Sequence, residues 1–268
     1  MDLTKDPLPK LLWQIAVPGA TAFFLQTLLN LTDTWFAGRI STLAQAALSL
    51  SFPMFFVLGT FSLGLANGAS ALVGQALGAA DGYKARCMAG QAVFMAIALG
   101  LFLMILGPAI SRPAFMSMGA TEGEYLDLCL SYMNVIFYSA PIFLAFNITN
   151  ALLVVQGDSR GMRNALAASV GFNVLLDWWF VEGGLGLPPP GVRGLALATV
   201  LVELGALIFL WLRLLRTGLF DGGSFWDSLR PRLALQKELW RQSVPPALNQ
   251  SSVGLGIYVI NWFVGKFG

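Results

Sequence analysis

No histidine occurs anywhere in the 268 residues, which removes the usual metal ligand and proton relay and leaves any titration to carboxylates. Cysteine is nearly absent too. Cys87 and Cys129 lie in or beside different apolar segments, match no metal-ligand spacing, and read as small buried hydrophobes. Charge is scarce: only 11% of residues are Asp, Glu, Lys or Arg, with a formal net charge of +2. The basic residues sit in short loops rather than in a patch, which argues against nucleic acid as a partner. A membrane enzyme would need a nucleophile–base pair or a metal cluster near a membrane surface, and the sequence offers neither. No cofactor is implied.

What the chain has instead is apolar residues, 56% of the total at a mean hydropathy of +0.70, too many to hide in a soluble core of this size. Several runs reach the roughly 20 residues that a membrane span requires. The fold class is therefore all-α integral membrane. Spans are predicted at about 12–37, 44–77, 87–110, 125–156, 163–182, 192–216 and 240–266. The first run is too long for a cleavable signal and lacks a small-residue cleavage site, so it is kept as a helix.

With these spans, twelve of the sixteen Lys and Arg residues fall on the side of the N-terminus, leaving Arg39, Arg112, Arg193 and Lys266 opposite. The positive-inside rule then puts the N-terminus in the cytoplasm of a multi-pass plasma (inner) membrane protein.

Within the first run Gln26, Asn30 and Asp33 fall in a sector of about 60° on a 3.6-residue period, a polar stripe on an apolar helix. A carboxylate at membrane depth costs roughly 2.5–3.5 kcal/mol on insertion scales and marks a functional site by default. Asn173 and Asp177 are four residues apart and share a helix face, as do Thr199 and Glu203 on the next helix. Asp33 and Asp177 lie at a similar depth, roughly 7.5 Å from the outer ends of their spans. If the first, fifth and sixth spans meet, Asp33, Asn173, Asp177 and Thr199 offer oxygen ligands for a hard cation, Na⁺ included, or for a proton shared between two carboxylates. An ion pair between Asp177 and Arg193 is the competing arrangement.

The first span recurs. Shifted by 227 positions, Leu12, Trp13, Val17, Pro18, Ala20, Leu28, Trp35, Phe36 and Gly38 match residues 239, 240, 244, 245, 247, 255, 262, 263 and 265, nine identities in twenty-eight positions without a gap. Such a repeat points to internal duplication. The domain organisation expected from it is a six-helix lobe (1–216), a polar cytoplasmic linker (217–238) carrying Gly222, Gly223 and Pro231, and the first helix of a truncated second lobe (239–268). Residues 225–239 form either an amphipathic interfacial helix or a solvated loop.

Read in order, Asn30-Leu31-Thr32-Asp33-Thr34-Trp35-Phe36-Ala37-Gly38, the run from Gly64 to Asp81, Gln156-Gly157-Asp158, and Asn173 to Thr199 with Gly184, Gly186, Gly191 and Gly194 resemble the multidrug and toxic compound extrusion (MATE) transporters. The resemblance covers residues 8–268. It implies two six-helix lobes, related by an axis along the membrane normal, around a cavity that opens to alternate sides. It implies export of organic cations or amphipathic toxins in exchange for H⁺ or Na⁺, by a protein that is monomeric at full length. The lobe that follows this one would be a partner within the same chain, and residues 1–268 alone would not transport.

Within the resemblance Asp33 is the first-helix acid, and Asn173, Asp177 and Thr199 are the ion site. Tyr138 is a cavity aromatic, and either Asn147 or Asn150 is a fourth-helix polar contributor. Gln26, Asn30 and Glu203 are further coupling or cavity candidates. The NorM branch carries an acid partway along the seventh helix, whereas residues 245–256 here have only Asn249, Gln250, Ser251 and Ser252 as polar side chains, closer to the DinF-like branch. The alternative function is a lipid or lipid-linked oligosaccharide flippase of the same superfamily. That function predicts a cavity rich in Arg and Lys, where this sequence puts carboxylates.

Overall fold

A computed structural model describes residues 8–183, 190–221 and 225–266, and all regular structure among them is helical. The helices are α1 (Leu8–Ile40), α2 (Thr42–Gly78), α3 (Gly82–Ser117), α4 (Glu124–Tyr138), α5 (Ala140–Val155), α6 (Arg160–Glu182), α7 (Val192–Leu215), α8 (Phe225–Leu229) and α9 (Leu233–Val264). Gly184 and Gly186 of the fifth-to-sixth-helix motif, Gly222 and Gly223 of the linker, and Lys5 lie outside the described residues.

Connections are short and capped. Ser41 alone joins α1 to α2, its hydroxyl accepting from the amide of Ala44 at 3.0 Å. Asp81 caps α3 through the amide of Lys84 at 2.9 Å. Both satisfy amides that a helix start leaves without partners.

By length and hydropathy α2, α3 and α7 each suffice to cross a bilayer, and α4 and α5 do so as a pair. Predicted as one span, residues 125–156 are in fact two helices bent by 51° about Ser139. Proline explains the break: Pro141 has no amide to donate, and its ring disfavours a continuous helix at this point. Other prolines do not break their helices, since α2 runs through Pro53, α3 through Pro108 and α9 through Pro245. At the elbow α3 approaches closely, and a Cβ built on Gly100 would lie 2.5 Å from the Cα of Pro141.

Neighbouring pairs arrange α1, α6, α7, the α4–α5 elbow, α3 and α2 around one bundle. Its core includes Met88, Phe115, Met133, Phe137, Leu144 and Leu152. Helix α9 packs along α2 and also touches α3. The contact uses small residues: a Cβ on Gly64 would lie 2.5 Å from that of Ala247, and one on Gly68 would overlap the Ser243 side chain. In lipid, where the hydrophobic effect does not drive helices together, such close backbone approach is a main source of association.

The linker differs from expectation. Only Phe225–Leu229 is helical before a break at 230–232, and α9 starts at Leu233, six residues ahead of the predicted lobe boundary. Buried Gln91 on α3 accounts for this. Its amide nitrogen donates to the carbonyls of Ser228 and Arg230, both at 2.8 Å, while its oxygen accepts from the Arg232 amide at 2.9 Å and from Gln236 Nε2 at 2.8 Å. The linker is therefore anchored on α3.

Candidate functional site

Among the described residues α6 turns its aliphatic and aromatic side outward, with Phe172, Leu175 and Trp178 exposed, and buries Ser169, Asn173 and Asp177 at successive turns. Polar inside and apolar outside reverses the soluble pattern and suits a helix in lipid. Because α1, α6 and α7 are neighbours, the buried stripe of α6 meets Asp33 on α1 and Thr199 on α7.

Asp33 is 6% exposed; its Oδ1 accepts from Asn173 Nδ2 at 3.1 Å and its Oδ2 from the Thr199 hydroxyl at 3.0 Å. The Thr199 hydroxyl also lies 3.1 Å from the Leu195 carbonyl, and having one proton it donates to only one of the two. Asp177 is fully buried on the same face of α6 as Asn173, one turn further along. Neither Asp177 oxygen has a donor among the described residues, and neither does Asn173 Oδ1. No pair forms between Asp177 and Arg193. At this end of the bundle Arg39 pairs with Glu182 at 2.8 Å.

Three buried acceptors without a donor among the described residues, two on Asp177 and one on Asn173, thus share the buried stripe of α6. Asp33 has two donors, but Asp177 as a bare carboxylate would suffer a desolvation penalty of several kcal/mol with no compensating partner among the described residues. The donors available are carboxylate, amide and hydroxyl oxygens, which suit H⁺ or a hard monovalent cation.

The Asp33 face opens into a cavity of about 60 Å³, room for a few waters. Gln26, Asn30, Asn173, Thr199 and Glu203 line it, and Asp177 is not among the lining residues. Tyr138, Asn147 and Asn150 do not line it. Tyr138, the last residue of α4, is 58% exposed. Asn147 donates to the Phe143 carbonyl at 2.9 Å, one turn back on its own helix. Asn150 Oδ1 is buried without a partner away from the cavity. The aromatic positions are taken by Tyr132, Phe52, Phe55 and Phe146, and Ser51 and Ser169 add hydroxyls, none of which the sequence singled out.

The MatE family model matches residues 18–179, more than half of the chain and the part holding Asp33, Tyr132, Asn173 and Asp177. The chain belongs to the MatE family. Among curated relatives of this MatE protein, the probable multidrug resistance protein YoeA of Bacillus subtilis is 29% identical over 259 residues, covering 94% of the chain and 55% of YoeA. The probable multidrug resistance protein NorM of Thermotoga maritima is 29% identical over 265 residues, covering 95% of the chain and 55% of NorM. A solved MOP superfamily transporter from Pyrococcus furiosus superposes with a TM-score of 0.78 at 28% identity, over 88% of the chain and 51% of its own. The chain thus spans about half the length of the relatives it matches.

Proposed function

We propose that this chain is the N-terminal part of a secondary active multidrug efflux antiporter, exporting cationic or amphipathic small molecules in exchange for H⁺ or Na⁺. The observation that carries this reading is the orphaned set of acceptors on Asp177 and Asn173 beside Asp33. A proton or Na⁺ entering between the two carboxylates would neutralise them and loosen Asp33 from its donors. Without that ion, Asp33 presents negative charge to a cavity walled by Tyr132, Phe52 and Phe55, the surroundings that attract an organic cation. The two ligands therefore exclude one another through charge, which is the requirement for antiport.

In this reading a second six-helix lobe supplies the opposite wall, the protein works as a monomer in the plasma (inner) membrane with its N-terminus cytoplasmic, and the coupling ion binds in the N-terminal lobe, as in the DinF-like branch. The test measures binding of a fluorescent organic cation to the purified protein, and its release by acidification or added Na⁺. Asp33→Asn is expected to weaken dye binding about tenfold, the loss of one charged partner. Asp177→Asn is expected to leave dye binding largely intact while abolishing ion-driven release. Retention of wild-type release by Asp177→Asn would remove the two-carboxylate switch.

A further inference from the structure

A second groove, of about 440 Å³, runs between α6 and α7 on the outside of the bundle. Its floor is made of small residues, Ala165, Ala168, Ser169, Gly205 and Ala206, and its rim of Phe172, Leu176, Leu201 and Phe209. A Cβ on Gly205 would meet nothing within 4 Å, so the groove is open there. Its α6 residues run from Asn164 to Leu176, about 18 Å at 1.5 Å per residue, close to the ~15 Å hydrocarbon depth of one leaflet.

One end of this groove is basic. The Arg213–Asp158 pair, 2.6 Å, pins the end of α7 to the start of α6, and Asp158 also accepts from the Gly161 amide at 3.0 Å. Between that clasp and the groove, Arg163 folds over Asn164, donating to its Oδ1 at 3.1 Å. Arg216 continues the α7 stripe of Leu201, Gly205 and Phe209 and is exposed. Among the described residues neither Arg163 nor Arg216 meets a carboxylate. Helix α9 packs on α2 and α3, across the bundle from α6 and α7.

We propose that this groove binds an anionic phospholipid, with one acyl chain along the α6–α7 floor and the phosphate between Arg163 and Arg216. Charge complementarity selects the headgroup, leaflet depth matches the chain, and α9 does not cover this side. Ser169, Val202 and Ala206 line both this groove and the Asp33 cavity, so the acyl chain packs against the back of the cavity wall. The assignment is independent of which ion the carboxylates take.

Native mass spectrometry of the protein in detergent, titrated with dioleoyl phosphatidylglycerol or dioleoyl phosphatidylcholine, tests it. The unmutated protein is expected to retain phosphatidylglycerol preferentially, and dihexanoyl phosphatidylglycerol, which keeps the headgroup but lacks long chains, is expected to compete poorly. Arg163→Ala with Arg216→Ala is expected to lower phosphatidylglycerol retention by about fivefold per arginine without changing phosphatidylcholine. Gly205→Leu, which fills the floor, is expected to reduce both lipids. Equal retention of the two lipids by the unmutated protein, or full competition by the short-chain lipid, would overturn the proposal. So would unchanged lipid retention in Gly205→Leu accompanied by loss of a bound organic cation, which would make the groove a substrate path.

Discussion

Tyr132 and Tyr138 sit on the same helix, yet one lines the cavity at 9% exposure and the other is 58% exposed. Six residues on a helix are about 240° of rotation, so the two side chains leave α4 in different directions. If the cavity takes organic cations, Tyr132→Ala should weaken binding of a fluorescent cation about fivefold to tenfold, consistent with a desolvated cation–π contact of about 1–1.5 kcal/mol. Tyr132→Phe should retain most of the affinity, and Tyr138→Ala should match wild type. The reverse ranking in a fluorescence titration would move the substrate elsewhere. The contrast also shows what was legible at this scale. Gln26, Asn30 and Asp33 stood out because polar side chains against an apolar background need a reason to be there. Tyrosine is equally at home in a core, a cavity or an interface, so no pattern separated the two. Ser51 was hidden for another reason: its hydroxyl can satisfy itself on its own helix, as it does on the Ala47 carbonyl at 2.8 Å.

At the scale of elements, each predicted span falls on a helix or on the α4–α5 pair, with ends off by up to seven residues, and α2, α3, α7 and the α4–α5 pair have the apolar length that a bilayer requires. Hydropathy did not locate the α4–α5 elbow, since a proline is compatible with both a kinked helix and a break, and α3 packing at Gly100 helps hold the break open. Nor did it find the linker anchor. Gln91 lies in a helix that reads as an ordinary span, and its four partners are 137 to 145 residues away in sequence. Replacing it with leucine would strand the Ser228 and Arg230 carbonyls and the Arg232 amide against a buried surface. Gln91→Leu is therefore expected to destabilise the protein by about 2–4 kcal/mol and to expose the α8–α9 connection to protease, because buried unmade hydrogen bonds are more costly than made ones are favourable. Gln236→Leu removes only one of these partners and should cost about 1 kcal/mol or less. Equal thermal unfolding of both variants and wild type would show that the linker is held by other contacts.

Seen whole, the molecule separates its charges by end. Lys84–Glu238, Arg213–Asp158 and the bond from Arg86 to the Asp221 carbonyl gather at one face, while Arg39–Glu182 and Arg112–Glu122 lie at the other. That partition agrees with the loops assigned from sequence, so relative sidedness was legible. The proposed absolute orientation rests on the excess of Lys and Arg at the first face, because basic loops tend to stay on the cytoplasmic side during insertion. The scarcity of cysteine makes this directly measurable, because Cys87 is 3% exposed and Cys129 fully buried, leaving a quiet background for thiol labelling. Ala79, in the α2–α3 turn at the basic face, and Thr121, in the α3–α4 turn at the other, are both exposed. In intact cells a membrane-impermeant maleimide should label Thr121→Cys and leave Ala79→Cys unlabelled until the membrane is permeabilised. The opposite order would invert the protein, place Asp33 and Asp177 nearer the cytoplasmic surface, and require the proposed coupling ion to enter from the cell interior.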